Sequence, residues 1–359
     1  MPLRSLTYCT ENNAVQIIDQ TCLPGELKII ELSKLDDFCR AISDMQVRGA
    51  PLIGITAAYG LALELGRNPD LDNLARASAR LTATRPTAIN LGWALRRLEA
   101  VVEAVDEADR FAAALGEAHA IAEEDVANCR AIGDHGLQML RTMSEAAHGS
   151  AINVLTHCNA GWLAALEWGT ALAPIYRAHE QGMPLHVWVS ETRPRNQGAK
   201  LTAWELAQAG VAHTVVADGA AGYLMQTGRV DCCVVGSDRT VANGDVCNKV
   251  GTYPKALAAK ANGVPFYVAL PLSSFDWSCS SGADIPIEER GAEEVLACEG
   301  RDPSGESVRV LIANADSPGF NPAFDITPAS LVTGLITECG IVAAEPAALR
   351  ALRAEIQTS

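Results

Sequence analysis

Apolar and polar blocks alternate through the second half of the chain in a way that predicts repeated strand–helix units. Four short, mainly β-branched runs each end in a cluster of polar residues, and a stretch that favours helix follows each cluster. The strands are predicted at 152–156, 185–189, 214–217 and 232–235, with a fifth at 264–270. The helices are predicted at 162–181, 201–208 with a Thr202/Glu205 capping box, 220–227 and 249–261. Alternating strands and helices give parallel strands whose carboxyl ends share one sheet edge, so the polar clusters should converge there on a ligand site.

The first 148 residues carry a different pattern. Short alternating segments around turns predict a small antiparallel sheet at 6–9, 14–18 and 27–31. Helix formers then dominate from residue 35 to 148. Because 359 residues are too many for one ordinary core, we expect two domains. The predicted α/β fold has a smaller, mainly helical domain with a short antiparallel sheet at 1–148, followed by a doubly wound, Rossmann-like parallel sheet at 149–359.

The C-terminal part gives weaker signals. Residues 280–305 are polar and acidic and are predicted to form an excursion from the sheet, with a possible strand at 308–312. A last helix is predicted with Thr327 as its N-cap, Pro328 at its first position and Gly340 at its end.

Composition and charge argue against several classes of partner and site. A net charge of −15 argues against nucleic acid or an anionic membrane as a partner, although a few local cations could still hold one phosphate. No run of about 18 uncharged apolar residues occurs and the chain starts without an apolar signal core, so we expect a cytoplasmic protein. The eleven cysteines are odd in number and lack a C-x-x-C pair, which argues against a disulfide framework and a structural zinc site.

Two polar clusters contain groups that suit acid–base chemistry. Cys158 follows the first predicted strand, and the helix predicted after it would favour thiolate at its N-terminus, whereas the alternative is a buried structural cysteine. Asp238 follows the fourth strand, and an ion pair with Arg239 is the alternative there. A thiol and a carboxyl in one pocket form a workable acid–base pair. The neighbouring His157 should point elsewhere and serve packing or support.

An anion site is also indicated in the first half. The turn of Arg48, Gly49, Ala50 and Pro51 precedes an apolar helix, and its glycine would let backbone N–H groups approach an anion at the positive helix end. A simple helix-start turn is the alternative, and Arg85 is equally ambiguous. Neither G-x-G-x-x-G after the first parallel strand nor G-x-x-x-x-G-K-[ST] occurs, so binding of NAD or ATP loses its main support.

Together, seven motifs resemble those of the 5-methylthioribose-1-phosphate isomerases. They are RGAPLIG at 48–54, RPTAINL at 85–91, THCNAG at 156–161, ETRP at 191–194, QG at 197–198, LTAWEL at 201–206 and the stretch 238–253. The resemblance is nearly collinear over the chain. The wider family also contains 5-deoxyribose-1-phosphate and ribose-1,5-bisphosphate isomerases. It further includes the non-catalytic α, β and δ regulatory subunits of the guanine-nucleotide exchange factor of translation initiation.

The resemblance implies an aldose–ketose isomerase of methionine salvage, acting on a sugar 1-phosphate in a cleft between two domains of a homodimer. It implies Cys158 and Asp238 as the catalytic pair. It implies substrate contacts from Arg48, Gly49, Ala50, Arg85, Gln197, Asn248 and Lys249, without a metal or organic cofactor. Ser190, Gly219 and Ser237 depart from the pattern we associate with the methylthioribose enzymes, which leaves the substituent at C5 of the sugar open.

The expected chemistry begins with ring opening. The phosphate blocks the anomeric oxygen, so Asp238 would donate a proton to the ring oxygen. Cys158 would then move a proton between C2 and C1 through an enolate-like intermediate, and a direct C2 to C1 hydride shift is the rival.

Overall fold

The computed structural model describes residues 4–314 and 316–358. Residues 1–3, part of the start at which no signal core is expected, lie outside the described residues. The chain begins with the predicted antiparallel sheet, in the order β1-β2-β3. Its strands are β1 (Leu6–Cys9), β2 (Ala14–Ile18) and β3 (Ile29–Leu32).

Five helices follow, as the helix-forming composition predicts. They are α1 (Leu35–Ser43), α2 (Ala50–Leu65), α3 (Leu71–Thr84), α4 (Ile89–Glu103) and α5 (Arg110–Ala146). Helix α2 is apolar and buried on nearly every side, with α1, α4 and α5 packed around it. Glycine makes these close contacts possible: a Cβ at Gly54 would lie 2.8 Å from the Asn90 carbonyl oxygen. The early part of α5 joins this core, whereas Ile132 and Leu140 near its end pack in the core of the parallel sheet.

The remaining elements build that sheet and its surroundings. The strands are β4 (Ile152–Thr156), β5 (Leu185–Ser190), β6 (His213–Val216), β7 (Cys232–Val235), β8 (Arg239–Val241), β9 (Val246–Lys249), β10 (Phe266–Ala269), β11 (Phe275–Asp276), β12 (Ala297–Arg301), β13 (Ser307–Leu311), β14 (Phe324–Thr327), β15 (Gly334–Thr337) and β16 (Gly340–Val342). The helices are α6 (Ala173–Glu180), α7 (Ala203–Gln208), α8 (Ala220–Gln226), α9 (Thr252–Ala261), α10 (Glu293–Leu296) and α11 (Pro346–Thr358).

The large sheet has seven strands in the order β16-β15-β10-β7-β4-β5-β6, parallel except for the edge strand β16. The predicted α/β fold with a parallel sheet, preceded by helices and a short antiparallel sheet, is therefore confirmed. The carboxyl ends of β4, β5, β6 and β7 lie at one edge, as parallel pairing requires. No helix among the described residues combines the length and the apolar character that crossing a membrane needs.

The polar stretch after β7 is a hairpin, which we did not predict. Strands β8 and β9 pair antiparallel across a turn at Asn243-Gly244, where Gly244 has a φ of +89°. They form a second sheet in the order β11-β8-β9-β14. Val241 and Cys247 contribute to a small apolar core under this sheet. Helix α9 therefore begins at Thr252, after β9, and not at residue 249.

The helix predicted at 162–181 is wrong. Only a single 3-10 turn (Trp162–Ala164) and the short α6 form there. Between them the chain folds back on Gly161, with Trp168 and Gly169 at positive φ. A Cβ at Gly169 would lie 2.2 Å from the Gly161 carbonyl carbon, so this return needs glycine. Apolar composition predicted a helix, but tertiary contact decides the backbone.

The predicted capping box is also wrong. A π-helical turn (Gly198–Thr202) precedes α7, and Thr202 already has helical backbone angles. Its hydroxyl donates instead to the Cys158 carbonyl oxygen over 2.7 Å. Glu205 reaches across to the loop after β4. Both side chains serve long-range contacts and not the helix terminus.

The last predicted helix, from Thr327 to Gly340, is wrong as well. This stretch contains the end of β14, a 3-10 turn and the pair β15 and β16. All residues of β15 are buried beside β10, which fits its short apolar composition better than a surface helix. The possible strand at 308–312 does form as β13, but it pairs only with β12 in a hairpin outside the parallel sheet.

Candidate active site

The polar clusters after the parallel strands converge, as the sequence predicted. The amide of Cys158, after β4, donates to the Thr192 hydroxyl, after β5, over 2.8 Å. Asp218, after β6, accepts from the amides of Thr192 (3.0 Å) and Arg193 (2.7 Å). Ser190, one of the departures from the family pattern, donates its hydroxyl to Asp218. One network of hydrogen bonds therefore fixes the loops around the end of β4.

Cys158 is held in an unusual backbone conformation. Its φ of +65° lies in the left-handed region, which non-glycine residues rarely occupy. The bonds from its amide to Thr192 and from Thr202 to its carbonyl hold this conformation. The thiol is buried, and it donates to the Gln197 Oε1 over 3.5 Å. Strain that the surroundings maintain at one residue is a common feature of functional sites.

Electrostatics favour the neutral thiol. Burial raises the pKa of Cys158, while the positive charges of Arg48 and Lys249 oppose that shift and Asp238 adds to it. The chain after Cys158 enters a 3-10 turn and not an α-helix, so the helix N-terminus that we expected to favour thiolate does not form there. The expected helix N-terminus beside the thiol is therefore wrong, and the charges of Arg48 and Lys249 take its place in favouring the thiolate.

The turn before α2 lies against the same loop. Both terminal nitrogens of Arg48 donate to Asn159, one to the side-chain oxygen and the other to the carbonyl oxygen over 2.7 Å. Gly49 has a φ of +97°, and a Cβ there would lie 2.5 Å from the Ala164 Cα. Both the positive φ and the close approach of Ala164 require glycine at position 49. Helix α2 starts at Ala50, with its positive end in the cleft.

Glu205 is a buried acid that organises this contact, and the sequence analysis misread it as part of a cap. Its carboxylate accepts from the Asn159 amide (2.8 Å), the Trp162 and Leu163 amides (2.9 and 3.0 Å) and the Tyr176 hydroxyl (2.9 Å). Burial raises its pKa to about 7, against the effect of these donors. Asn159 is therefore oriented from one side by Glu205 and contacts Arg48 on the other.

His157 is buried and bonded within the protein, which fits the packing or supporting role predicted for it. Its Nε2 contacts the Val250 carbonyl oxygen at 2.9 Å, and its Nδ1 lies 3.6 Å from Asp218. Burial and the nearby charge of Lys255 lower its pKa to about 3. The imidazole is neutral at neutral pH and supports the loops without exchanging protons.

Asp238, Asn248 and Lys249 come from β7 and the hairpin that follows it. Asp238 is partly buried, and its amide donates to the Cys247 carbonyl oxygen over 3.0 Å. Its neighbour Arg239 pairs with Asp276, which contradicts the alternative of an Asp238–Arg239 ion pair. Asn248 donates to the Thr252 hydroxyl over 3.0 Å.

The lysine amine is placed differently from an ordinary surface lysine. Lys249 donates to the Ala323 carbonyl oxygen over 2.9 Å and lies 4.6 Å from the centre of the Phe324 ring. Burial lowers its pKa to about 8, with Cys158 and Asp238 opposing the shift and Arg290 and Arg85 adding to it.

Eight of the nine predicted site residues line three neighbouring clefts, and Lys249 lines none of the three. One cleft of about 30 Å³ is lined by Arg48, Gly49, Ala50, Cys158, Asp238 and Asn248. A second, also about 30 Å³, is lined by Ala50, Arg85 and Asp238. Gln197 and Arg48 line a wider cavity of about 260 Å³. Lys249 joins the group through its electrostatic contact with Cys158 and Asp238.

Comparisons with known proteins show the family of this chain. The model of the Initiation factor 2 subunit family matches residues 46–344. A methylthioribose-1-phosphate isomerase of Methylorubrum populi is 58% identical over 355 residues, 99% of this chain and 97% of its own length. The chain belongs to this family. The family that the sequence motifs indicated is therefore confirmed.

Solved structures of the family share the fold. The 5-methylthioribose 1-phosphate isomerase of Pyrococcus horikoshii superposes with a TM-score of 0.84 at 40% identity, covering 99% of this chain and 96% of that one. A structure described as the delta subunit of translation initiation factor eIF-2B from A. fulgidus gives 0.80 at 38% identity, covering 97% and 99%.

One charged pair near the site was not predicted from the sequence. Glu288 and Arg290 come from the acidic excursion after β11, and Glu288 pairs with both Arg290 and Arg85. Their segment is mainly acidic and polar, so composition predicted a solvated loop. The available signal in the sequence was an arginine within a mainly acidic segment. In the folded chain its side chain is only 9% exposed.

Proposed function

We propose that this chain is an aldose–ketose isomerase that converts 5-methylthioribose 1-phosphate into 5-methylthioribulose 1-phosphate in methionine salvage. Its relatives of that name, more than half identical over nearly the full chain, support the reaction. The observation that carries the site assignment is the cleft that Cys158 and Asp238 line together with the glycine turn before α2.

Asp238 is the acid in this proposal. The phosphate on the anomeric oxygen prevents a free aldehyde, so the bond between C1 and the ring oxygen must break as that oxygen takes a proton. Asp238 lies near Arg85 and Lys249. Its carboxyl lines the cleft together with Cys158, so we assign to it the proton that the ring oxygen receives.

Cys158 moves a proton from C2 to C1. The thiolate form of Cys158, which the charges of Arg48 and Lys249 stabilise, takes the C2 proton and leaves an enol-like intermediate. The thiol then returns that proton to C1 while the C2 hydroxyl proton passes to the Asp238 carboxylate, which gives the ketone at C2 with the phosphate still on C1 and restores the acid. The thiol beside Gln197 is buried, so little water competes for these protons. In the rival hydride shift, the thiol would instead donate a hydrogen bond. A deuterium at C2 stays at C1 in the hydride shift and is diluted by the solvent in proton transfer.

The phosphate is proposed to bind at the positive end of α2. The backbone at Gly49 and Ala50 faces the cleft there, and Lys249 supplies a buried cation. Arg48, Arg85, Gln197 and Asn248 complete the proposed contacts. In this proposal Arg48 acts through its two bonds to Asn159 as well as through its charge.

We also propose the wider setting of this site. The chain divides into domains 1–148 and 149–359 around the cleft, works in the cytoplasm and forms a homodimer. Consecutive exposed apolar side chains on β13 and just after it support a protein–protein contact: Val310, Leu311 and Ile312 are 55%, 65% and 58% exposed. Sedimentation at micromolar concentration tests the dimer.

Three alternatives share the fold. The sugar could be 5-deoxyribose 1-phosphate or ribose 1,5-bisphosphate, since the site residues do not fix the C5 substituent. The third alternative is a non-catalytic regulatory subunit. The 38% identity to the structure described as an initiation-factor subunit supports this alternative. Cys158 and Asp238 in one cleft argue against it, because a pure binder needs no such pair.

One assay tests the function. The purified chain is incubated with 5-methylthioribose 1-phosphate, and the ketone carbon at C2 is followed by carbon NMR. We expect the ketose 1-phosphate to accumulate to equilibrium. Binding of the sugar phosphate without ketone formation would support the regulatory alternative and contradict the proposal.

A further inference from the structure

The segment 288–290 pairs with the residues just before β14 and lies beside Arg85, which lines the cleft. The Arg290 amide donates to the Asn321 carbonyl oxygen over 2.9 Å, and the Ala323 amide donates to the Glu288 carbonyl oxygen over 2.8 Å. The Ala323 carbonyl oxygen in turn accepts from the Lys249 amine. These contacts extend the sheet of β9 and β14 by one short strand-like segment, so Arg290 and Lys249 are held by the same backbone.

The side chain of Arg290 points inward from that segment. It is 9% exposed, its Nε lies 3.0 Å from Glu288 Oε1, and one terminal nitrogen lies 3.2 Å from the Met45 sulfur. The other oxygen of Glu288 lies 3.4 Å from Arg85. Glu288 therefore bridges two arginines with a single charge. The Nε of Arg85 is buried and has no hydrogen-bond partner among the described residues.

The charges of this group do not balance. Arg85 and Arg290 both pair with Glu288, so two cations share one carboxylate and one positive charge remains. Both arginine side chains are largely buried. Burial lowers the pKa of Arg85, and the charge of Arg290 lowers it further, so these cations repel one another. Buried cations without counter-charge are costly, which makes an arrangement of this kind typical of an anion site.

We propose that Arg290 is a further substrate-binding residue that contacts the phosphate, with Glu288 keeping Arg85 and Arg290 oriented toward it. The inference rests on the proposed function and deepens it by adding a contact to the phosphate subsite. A phosphate monoester carries about −1.5 to −2 charges at pH 7, and it would offset the positive charge that Glu288 leaves on the two arginines. Arginine also presents a planar fork of donors that suits phosphate oxygens.

Replacing Arg290 by glutamine tests the inference. Arg290→Gln removes the charge but keeps a donor for Glu288, and Arg290→Lys keeps the charge without the fork. The matched control is Arg301→Gln, an exposed arginine of β12 whose bond goes to the Gly305 carbonyl oxygen within its own hairpin. Inorganic phosphate is titrated calorimetrically into each folded variant, and kcat and KM for 5-methylthioribose 1-phosphate are measured alongside.

We expect Arg290→Gln to raise the phosphate Kd and the KM by about tenfold or more, with Arg290→Lys in between and kcat within about threefold. Arg301→Gln should match the wild type. A phosphate Kd within about twofold of wild type in both Arg290 variants would overturn the inference. An arginine with only a structural role would change the melting temperature and leave phosphate binding unchanged. Failure of the wild-type chain to bind phosphate would overturn it as well.

The phosphate titration and the kinetics test the role of Arg290 separately from the proposed isomerase activity. Calorimetry with phosphate needs no turnover, so a wild-type chain that binds phosphate without converting the sugar contradicts the isomerase alone. A wild-type chain that turns over normally, with Arg290→Gln unchanged in KM and phosphate Kd, contradicts Arg290 alone. If Arg290→Gln does not fold, Arg290→Lys must still show a raised Kd for the inference to stand.

Discussion

At the scale of single residues, the site combines a neutral thiol with buried cations. Cys158 is one of several buried cysteines, but its left-handed backbone and its bond to Gln197 distinguish it from the others described. Burial keeps the proton on sulfur while Arg48 and Lys249 make its loss easier than burial alone would allow. Cys158 takes a proton from C2 and then gives it to C1, so both its thiolate and its thiol form must be accessible.

Replacing Cys158 by serine should therefore lower kcat by about 10²-fold or more and leave KM largely unchanged, because an alcohol is a far weaker acid than a thiol. Steady-state kinetics check this. Cys129→Ser, at a buried cysteine in α5, is the matched control and should keep full activity. Near-normal turnover of Cys158→Ser would return Cys158 to the structural cysteines.

Lys249 and Arg48 should act on binding. Removing either by alanine should weaken phosphate binding by about 1.5 to 3 kcal/mol, since charge-assisted contacts are lost. The lowered pKa of Lys249, about 8, adds a pH signature: the amine is charged below that pH, so KM should rise as the pH passes 8. Lys249→Ala should lack this inflection. Unchanged KM and phosphate inhibition in both alanine variants would show that other groups bind the anion.

At the scale of elements, the loop after β4 depends on partners that lie far away in the sequence. Glu205 in α7 holds the amides of Trp162 and Leu163 and orients Asn159. A Cβ at Gly161 would meet the Glu205 carboxylate, so the glycine and the acid fit each other. The loop that carries Cys158 is thus fixed by α7 and not by its own sequence.

We expect Glu205→Gln to lower the free energy of unfolding at pH 7 by about 1 to 3 kcal/mol, because the amide nitrogen cannot accept from the buried donors. The pKa of Glu205 is raised from 4.5 to about 7, so its contribution to stability is present below about pH 4.5 and is lost as the pH rises through 7. Urea unfolding across this range should show a smaller decline in the variant. Glu103→Gln, exposed at the end of α4, serves as the control. Equal stability and an equal pH slope in Glu205→Gln and wild type would contradict this reading.

The elements also show how far sequence reasoning reaches. The strands β4 to β7 follow from short β-branched runs that end in polar clusters, and the helical character of residues 35–148 follows from composition. The return at Gly169 could not be predicted, because it depends on close contact with Gly161. The roles of Thr202 and Glu205 could not be predicted either, because their partners lie more than thirty residues away. The hairpin of β8 and β9 did carry a local signal, Asn243-Gly244, that the sequence analysis missed.

At the scale of the whole molecule, the cleft joins residues from distant parts of the chain. Arg48 and Arg85 come from the helical half, Cys158 and Asp238 from the parallel sheet, and Arg290 from the excursion that follows it. The predicted site residues could be named from motifs. Arg290 could not, because its burial arises only when the excursion folds back beside β14.

The charge of the whole site bears on the substrate. Among the described residues, four cations line the wider cavity. Arg195 and Lys200 pair with Glu294 at 2.9 Å and Glu299 at 3.5 Å, Arg309 donates to the Glu293 carbonyl oxygen, and Arg48 is already assigned to the first phosphate. A second phosphate would lack free partners there, at a cost of several kcal/mol. We predict that kcat/KM favours 5-methylthioribose 1-phosphate over ribose 1,5-bisphosphate by at least about 10²-fold. Side-by-side kinetics that include 5-deoxyribose 1-phosphate decide this, and a preference for the bisphosphate would contradict it.

In the proposed reaction, Asp238 is the acid that opens the sugar ring before the product is isomerised. The most direct measurement is turnover of 5-methylthioribose 1-phosphate by Asp238→Asn, with phosphate binding and unfolding measured on the same preparation. Asparagine keeps shape and hydrogen bonding but cannot deliver an acid proton, so we predict that turnover is abolished while the fold and phosphate Kd are retained. Activity within about tenfold of wild type would contradict the account and place the ring-opening acid elsewhere.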